Sequence, residues 1–243
     1  MTHISRTTAL VSVEQCFNYA LERCEAAAVF GTPGVGKTTA MTHLAERSPT
    51  ATLIHVGSTR CTPRAIASMI ADAMRLWVEH RSAWQITEII EAHLMHPSTR
   101  DEILMFDEAQ NIPLGFLKDI VDWPQRFGVP VLICGNEHLL KRTKASGAAF
   151  DQIDSRIGKR IHLSRPTRED FETIAIDFDV FGVDARNACA AYGAKNSIRD
   201  LISLLQTARD FAEGRKLGLE EIRKAVVYKK GTAGLKQLSN RGA

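Results

Sequence analysis

No run of about 18 consecutive apolar residues occurs in this 243-residue chain, so no membrane-spanning helix is expected. The N-terminal stretch MTHISRTTALVSVEQ lacks an apolar h-region, so no secretory signal is expected and the chain reads as cytoplasmic. Cysteine is sparse: Cys16, Cys24, Cys61, Cys134 and Cys189 contain no CxxC pair and no histidine cluster beside them. That spacing argues against zinc and against a disulfide framework, and for reduced thiols. There is no low-complexity tract and no internal repeat. Neither sign of charge dominates. Lys and Arg number 31 against 28 Asp and Glu, a net charge of +3, which permits a nucleic-acid partner without requiring one.

What is present is an ordinary soluble composition, 44% hydrophobic and 24% charged. Apolar positions at helical spacing occupy residues 13–24. The short apolar runs 26–30, 52–56, 102–106 and 129–135 read as buried strands, with a fifth at 160–164. Helical patterns fall between them, at 37–47, 64–80, 85–95 and 114–123, the last closed by Pro124 and Gly128. Strands alternating with helices predict an α/β fold with a parallel sheet covered on both faces. After Pro166 the pattern is helical only, near 167–177, 184–192, 197–212 and 218–228. The expected organisation is therefore a nucleotide-binding α/β domain over 1–165, a helical lid over 166–228 and a basic, flexible tail over 229–243.

Gly31-Thr32-Pro33-Gly34-Val35-Gly36-Lys37-Thr38 matches GxxxxGK[ST], after a predicted strand and before a predicted helix. Such a loop lets backbone N–H groups face a β-phosphate, and the helix N-terminus adds its positive dipole end. Lys37 can reach the β- and γ-phosphates, Thr38 can ligate magnesium, and Thr39 completes the phosphate-binding segment. The expected ligands are ATP and Mg2+. Asp107 and Glu108 end the apolar strand ILMF. Asp107 is placed to hold the magnesium shell and Glu108 to polarise the attacking water as general base. Alone, two acids at a strand end could equally be solvated. Behind a P-loop they become a site.

Asn136 follows the fourth strand and can orient a water beside the γ-phosphate or cap the next helix. The stretch from Lys141 to Arg168 is the most basic in the chain, with Lys141, Arg142, Lys144, Arg156, Lys159, Arg160, Arg165 and Arg168 against Asp151 and Asp154. It can be a solvated face, supply an arginine to a neighbour's γ-phosphate, or contact nucleic-acid phosphates. Arg60 and Arg64, after the second strand, suit phosphate-backbone contacts or simply line a βα loop. Arg199, in Asn196-Ser197-Ile198-Arg199, either folds back onto a nucleotide or is a surface arginine. Trp77, Trp84 and Trp123 read as core or interface packing, and His55 as a satisfied strand-end histidine.

The segments AVFGTPGVGKTTA, ILMFDEAQNIP, VLICGNEHL and DSRIGKRIHL, with Asn-Ser-Ile-Arg, resemble the AAA+ ATPases over about residues 26–200. More closely they are similar to the transposition protein B family of Mu-like phages and its TniB/TnsC-type relatives. The resemblance implies that Asn136 is sensor 1, Arg156 an arginine finger reaching into the adjacent subunit, and Arg199 sensor 2. It further implies self-association into a ring or helical filament on double-stranded DNA, without sequence preference, and stimulation of a transposase. Mu-type proteins carry an N-terminal helix-turn-helix domain, and the roughly 25 residues before the first strand here leave no room for one. DNA contact is then expected from the ATPase core and the basic tail. Two other functions stay open on the same motifs: a protein-directed switch of the secretion or signalling type, and a replication initiator or helicase loader.

Overall fold

The computed structural model describes residues 4–59, 61–99, 101–137, 139 and 148–239. The described chain divides into two compact units. One is Ser12–Pro33 with Lys37–Leu163; the other is Ser164–Ala243 with Met1–Val11 and Gly34–Gly36.

The first unit is built on five strands: β1 (Ala26–Gly31), β2 (Ala51–His55), β3 (Ile103–Asp107), β4 (Val131–Gly135) and β5 (Ile157–Leu163). Their order in the sheet is β2-β3-β4-β1-β5, and every pairing is parallel. Parallel neighbours need crossovers, and helices supply them. α1 (Thr8–Arg23) precedes the sheet, and α2 (Lys37–Arg47), α3 (Pro63–Ala73), α4 (Ala83–Leu94), α5 (Leu114–Phe127) and α6 (Ala148–Arg156) connect it. The central strands β1, β3 and β4 are buried along their whole length, which is why they read as unbroken apolar runs. The edge strand β5 alternates instead, exposing Gly158, Arg160 and His162. Charges on an edge discourage pairing with another chain.

The expected helix over 64–80 is cut short. α3 starts on a Thr62 cap and ends at Ala73, because Arg75 takes a left-handed φ of 58° and Leu76 N–H closes back on Ala71 O at 2.8 Å. Ser82 and Gln85 then form a capping box that starts α4. α5 does not stop at Pro124. It continues to Phe127 and ends at Gly128, whose φ of 72° only glycine adopts without strain. Trp123 is fully buried, tilted against Phe106 with ring centroids 6.4 Å apart. Trp77 and Trp84 are not core: they are 72% and 68% exposed. Both flank the turn between α3 and α4, where the two helices spend their apolar faces on each other.

The second unit holds α7 (Arg168–Asp177), α8 (Val183–Lys195), α9 (Ile198–Ala212) and α10 (Leu219–Lys230) around Phe171, Tyr192, Leu201, Leu205 and Ile222. Thr167 and Asp170 box the start of α7. The buried Asp170 carboxylate also accepts the Thr8 N–H at 2.6 Å, satisfying a donor of the first turn of α1 that has no partner within the helix. Residues 229–239, expected as a flexible tail, are folded. Lys229 and Lys230 finish α10, and Thr232–Leu238 form 3-10 turns. Lys195 Nζ donates to Lys236 O at 3.2 Å and Ser239 O at 2.7 Å, and Lys230 Nζ donates to Asn196 Oδ1 at 2.6 Å. Two of the lysines read as tail charge are thus spent on nearby oxygens, Lys230 on Asn196 and Lys229 on the Ser203 hydroxyl.

Candidate functional site

In open parallel sheets ligands gather beyond the carboxyl ends of the strands, where the connections diverge. Here β4 lies between β1 and β3. That order brings the loop after β1, the acidic pair after β3 and Asn136 after β4 to one end of the sheet.

The loop Thr32–Gly36 leaves β1 and enters α2 directly at Lys37. Gly34 and Gly36 have φ of 84° and 103°, so the curl of the loop depends on residues without a Cβ. Lys37 is 7% exposed, and its Nζ donates to Gly31 O at 2.7 Å and Thr32 O at 3.0 Å. The lysine closes the loop on itself and holds its charge at the centre of the curl. Burial pushes its ammonium pKa below the ordinary lysine value, against the opposing influence of Cys134, Glu108 and Asp107. Val35 is buried, Thr32 half-buried, and Pro33, Thr38 and Thr39 exposed.

Asp107 is the last residue of β3 and is 1% exposed. Its Oδ2 meets His55 Nδ1 at 3.2 Å, while its Oδ1 is buried with no partner among the described residues. A buried carboxylate oxygen without a donor is costly, about 1–3 kcal/mol for an unsatisfied polar group and more when charged. A hard cation removes that cost, so the donor set fits magnesium, which takes one or two carboxylates and keeps several waters. His55 ends β2 opposite Asp107 in the strand register. The histidine read as merely satisfied therefore contacts an expected metal ligand, a relation visible only once the strands are paired.

Glu108 is left-handed, φ 57°, at the turn out of β3. Gln110 Nε2 donates to Glu108 Oε2, and Gln110 Oε1 accepts the Asn136 N–H at 3.1 Å. Asn111 Nδ2 anchors the same turn to Val56 O at 2.7 Å. Gln110 lies in the DEAQ string but draws no role from the sequence.

The remaining expected residues fall elsewhere or outside the described residues. Arg156 ends α6, with its Nε 3.1 Å from Asp122 Oδ1 and a hydrogen bond to Gln125, so it is engaged within its own chain. Arg160 pairs with Asp154 at 3.1 Å and Lys159 lies over the Tyr19 ring at 5.6 Å. Arg64 is exposed and donates to Arg81 O at 3.1 Å. Arg199 is exposed in the first turn of α9, behind the Ser197 cap. Arg60, Lys141, Arg142 and Lys144 lie outside the described residues. Among the described residues no helix is long and apolar enough to cross a membrane.

Comparison with known proteins agrees with this geometry. The AAA domain family matches residues 21–143, and the family described as Mu B transposition protein, C terminal, matches residues 155–227. A comparison with curated protein sequences gives no match. Among solved structures, the Aeropyrum pernix ORC2 protein in its ADPNP-ADP complexes superposes with a TM-score of 0.69 at 18% identity, over 93% of this chain and 69% of that one. Cdc6p from Pyrobaculum aerophilum gives 0.65 at 18% identity, over 90% of this chain and 65% of that one. A RuvB structure gives 0.52 at 16% identity, over 90% of this chain and 69% of that one. The chain thus spans about two thirds of the length of these structures, and at such identities the likeness is one of fold. With a P-loop between β1 and α2, an acidic pair ending β3, and both family matches in one chain, this protein belongs to the AAA+ family and is of the Mu transposition protein B type.

Proposed function

We propose that this protein is an ATP-hydrolysing, sequence-nonspecific DNA-binding AAA+ protein that assembles on target DNA and regulates a transposase. The observation that carries the reading is the Mu B C-terminal match over residues 155–227, joined in one chain to an AAA domain. The fold likeness to ORC2 and Cdc6p supports an initiator's function equally well; the C-terminal match favours transposition.

The chain's own residues divide the work. The loop N–H groups from Gly31 to Gly36 cradle phosphates, and Lys37 exchanges its carbonyl partners for phosphate oxygens. Thr38 and Asp107 would hold magnesium, with Asp107 Oδ1 as the oxygen that lacks a partner among the described residues. A magnesium ion held there would supply positive charge against the charge that develops on the phosphates. Glu108 takes the proton of the attacking water, and Asn136 orients that water from the tip of β4. Arg156 of a neighbouring copy supplies positive charge to the pocket, which requires it to leave Asp122. Arg199 is assigned the sensor 2 role on its motif. DNA phosphates are contacted by Arg60, Arg64, Lys141, Arg142 and Lys144.

Binding to random-sequence duplex DNA tests this. It is expected to need ATP and to weaken steeply with salt, as binding built on phosphate contacts does. Glu108→Gln is expected to hold the DNA complex without turnover, and Lys37→Ala to lose it. DNA binding of equal strength without nucleotide would contradict the reading.

A further inference from the structure

We propose that Gln110 is a positioning residue for hydrolysis, tying the Glu108 carboxylate to the tip of β4. The inference rests on the assignment of Glu108 as general base. Both ends of one side-chain amide are in use. The Nε2 end donates to Glu108 Oε2, and the Oε1 end accepts the backbone N–H of Asn136 at 3.1 Å. Glu108 and Asn136 are the two residues expected to handle the attacking water, and they stand just past the ends of different strands. A single rigid amide links them.

The surroundings are shaped for this link. Gln110 sits on the 3-10 turn Ala109–Asn111, which Asn111 pins to Val56 O at 2.7 Å. Gly135, the last residue of β4, lets the amide approach the strand. A Cβ there would lie 3.2 Å from Gln110 Oε1 and 3.1 Å from Leu139 Cδ2. Glu108 itself is held at φ 57°, so its backbone leaves the strand abruptly and its carboxylate orientation depends on side-chain contacts. The amide fixes one carboxylate oxygen and leaves the proton-accepting work to lone pairs it does not occupy. A shift of the Asn136 backbone upon engagement of a γ-phosphate is then felt at Glu108 through Gln110. In this way the base is aligned only when the β4 tip is in place.

The test is the steady-state ATPase of the full chain, with and without duplex DNA, alongside binding of a fluorescent ATP analogue. Gln110→Ala is expected to lower kcat by about 10- to 100-fold, the scale of a misplaced catalytic group. KM and analogue affinity are expected to stay within about twofold, because no phosphate contact is removed. Gln110→Asn is a methylene too short to span both partners and should not rescue. Glu108→Gln/Gln110→Ala should hydrolyse no more slowly than Glu108→Gln alone, since the two residues act as one unit. Gly135→Ala, which presses on the same amide, should reproduce the kcat loss. If Glu108→Gln abolishes hydrolysis but Gln110→Ala keeps kcat within twofold of the parent, the link does no positioning. A raised KM or weakened analogue binding in Gln110→Ala also overturns it, in favour of a structural role. If Glu108→Gln hydrolyses normally, it is the general-base assignment that fails.

Discussion

Asp107 and Lys37 show how a single side chain is made ready for chemistry by what surrounds it. Both are buried, and their charges lie at the same end of the sheet. Lys37 satisfies itself with two loop carbonyls, whereas Asp107 keeps one oxygen without a partner among the described residues. The buried thiols behave differently. Burial raises the Cys16 pKa from 9.0 to about 11 and that of Cys189 to about 12, and it pushes the Cys134 thiol up as well. A raised folded-state pKa means the fold favours the neutral thiol. That contribution is whole below 9.0 and is lost as pH climbs toward the folded value of about 11 for Cys16. Thermal melts between about pH 8 and pH 10 should therefore show a shallower loss of Tm in Cys16→Ala than in the parent chain. Equal slopes would mean that the buried thiol does not ionise on unfolding.

At the scale of elements, small residues decide which helices can pack. Gly193 in α8 faces Phe171 of α7; a Cβ there would lie 2.4 Å from Phe171 Cδ1. Gly193→Ala is expected to destabilise the helical unit by about 1–3 kcal/mol, the usual cost of overpacking, read as a lower urea midpoint. An unchanged midpoint would show that the ring moves aside freely. The same elements show what was legible beforehand. The central strands were readable because each is a run of apolar residues bounded by charge or glycine, as in ILMF before Asp107. α2 was readable from its P-loop start. The break after Ala73 was not, because Arg75 adopts a left-handed turn that no local composition signals. Pro124 misled in the opposite direction, since α5 accommodates it one turn before its end. At the site, the loop, Asp107, Glu108 and Asn136 stood in motifs. His55 stood in none, and Gln110 stood in the DEAQ string without a role, because their contacts come from strand pairing and from a link between two strand ends. The exposure of Trp77 and Trp84 was equally hidden, since apolar neighbours in sequence do not fix which face is covered.

At the scale of the whole molecule, the proposed function makes hydrolysis answer to DNA and to a second copy of the chain. In a single copy Arg156 is held by Asp122 and Gln125, both on α5, so it must be released before it can serve a neighbour's site. Assembly is the event that would release it, and a finger arginine is worth about 10³–10⁵ in kcat where it has been measured. The most direct measurement is the steady-state ATPase rate of the parent chain and of Arg156→Ala, with and without random-sequence duplex DNA. The parent rate is expected to change when DNA is added, and the Arg156→Ala rate to be low and indifferent to DNA. A parent rate that ignores DNA, or an Arg156→Ala rate equal to the parent's, would contradict it.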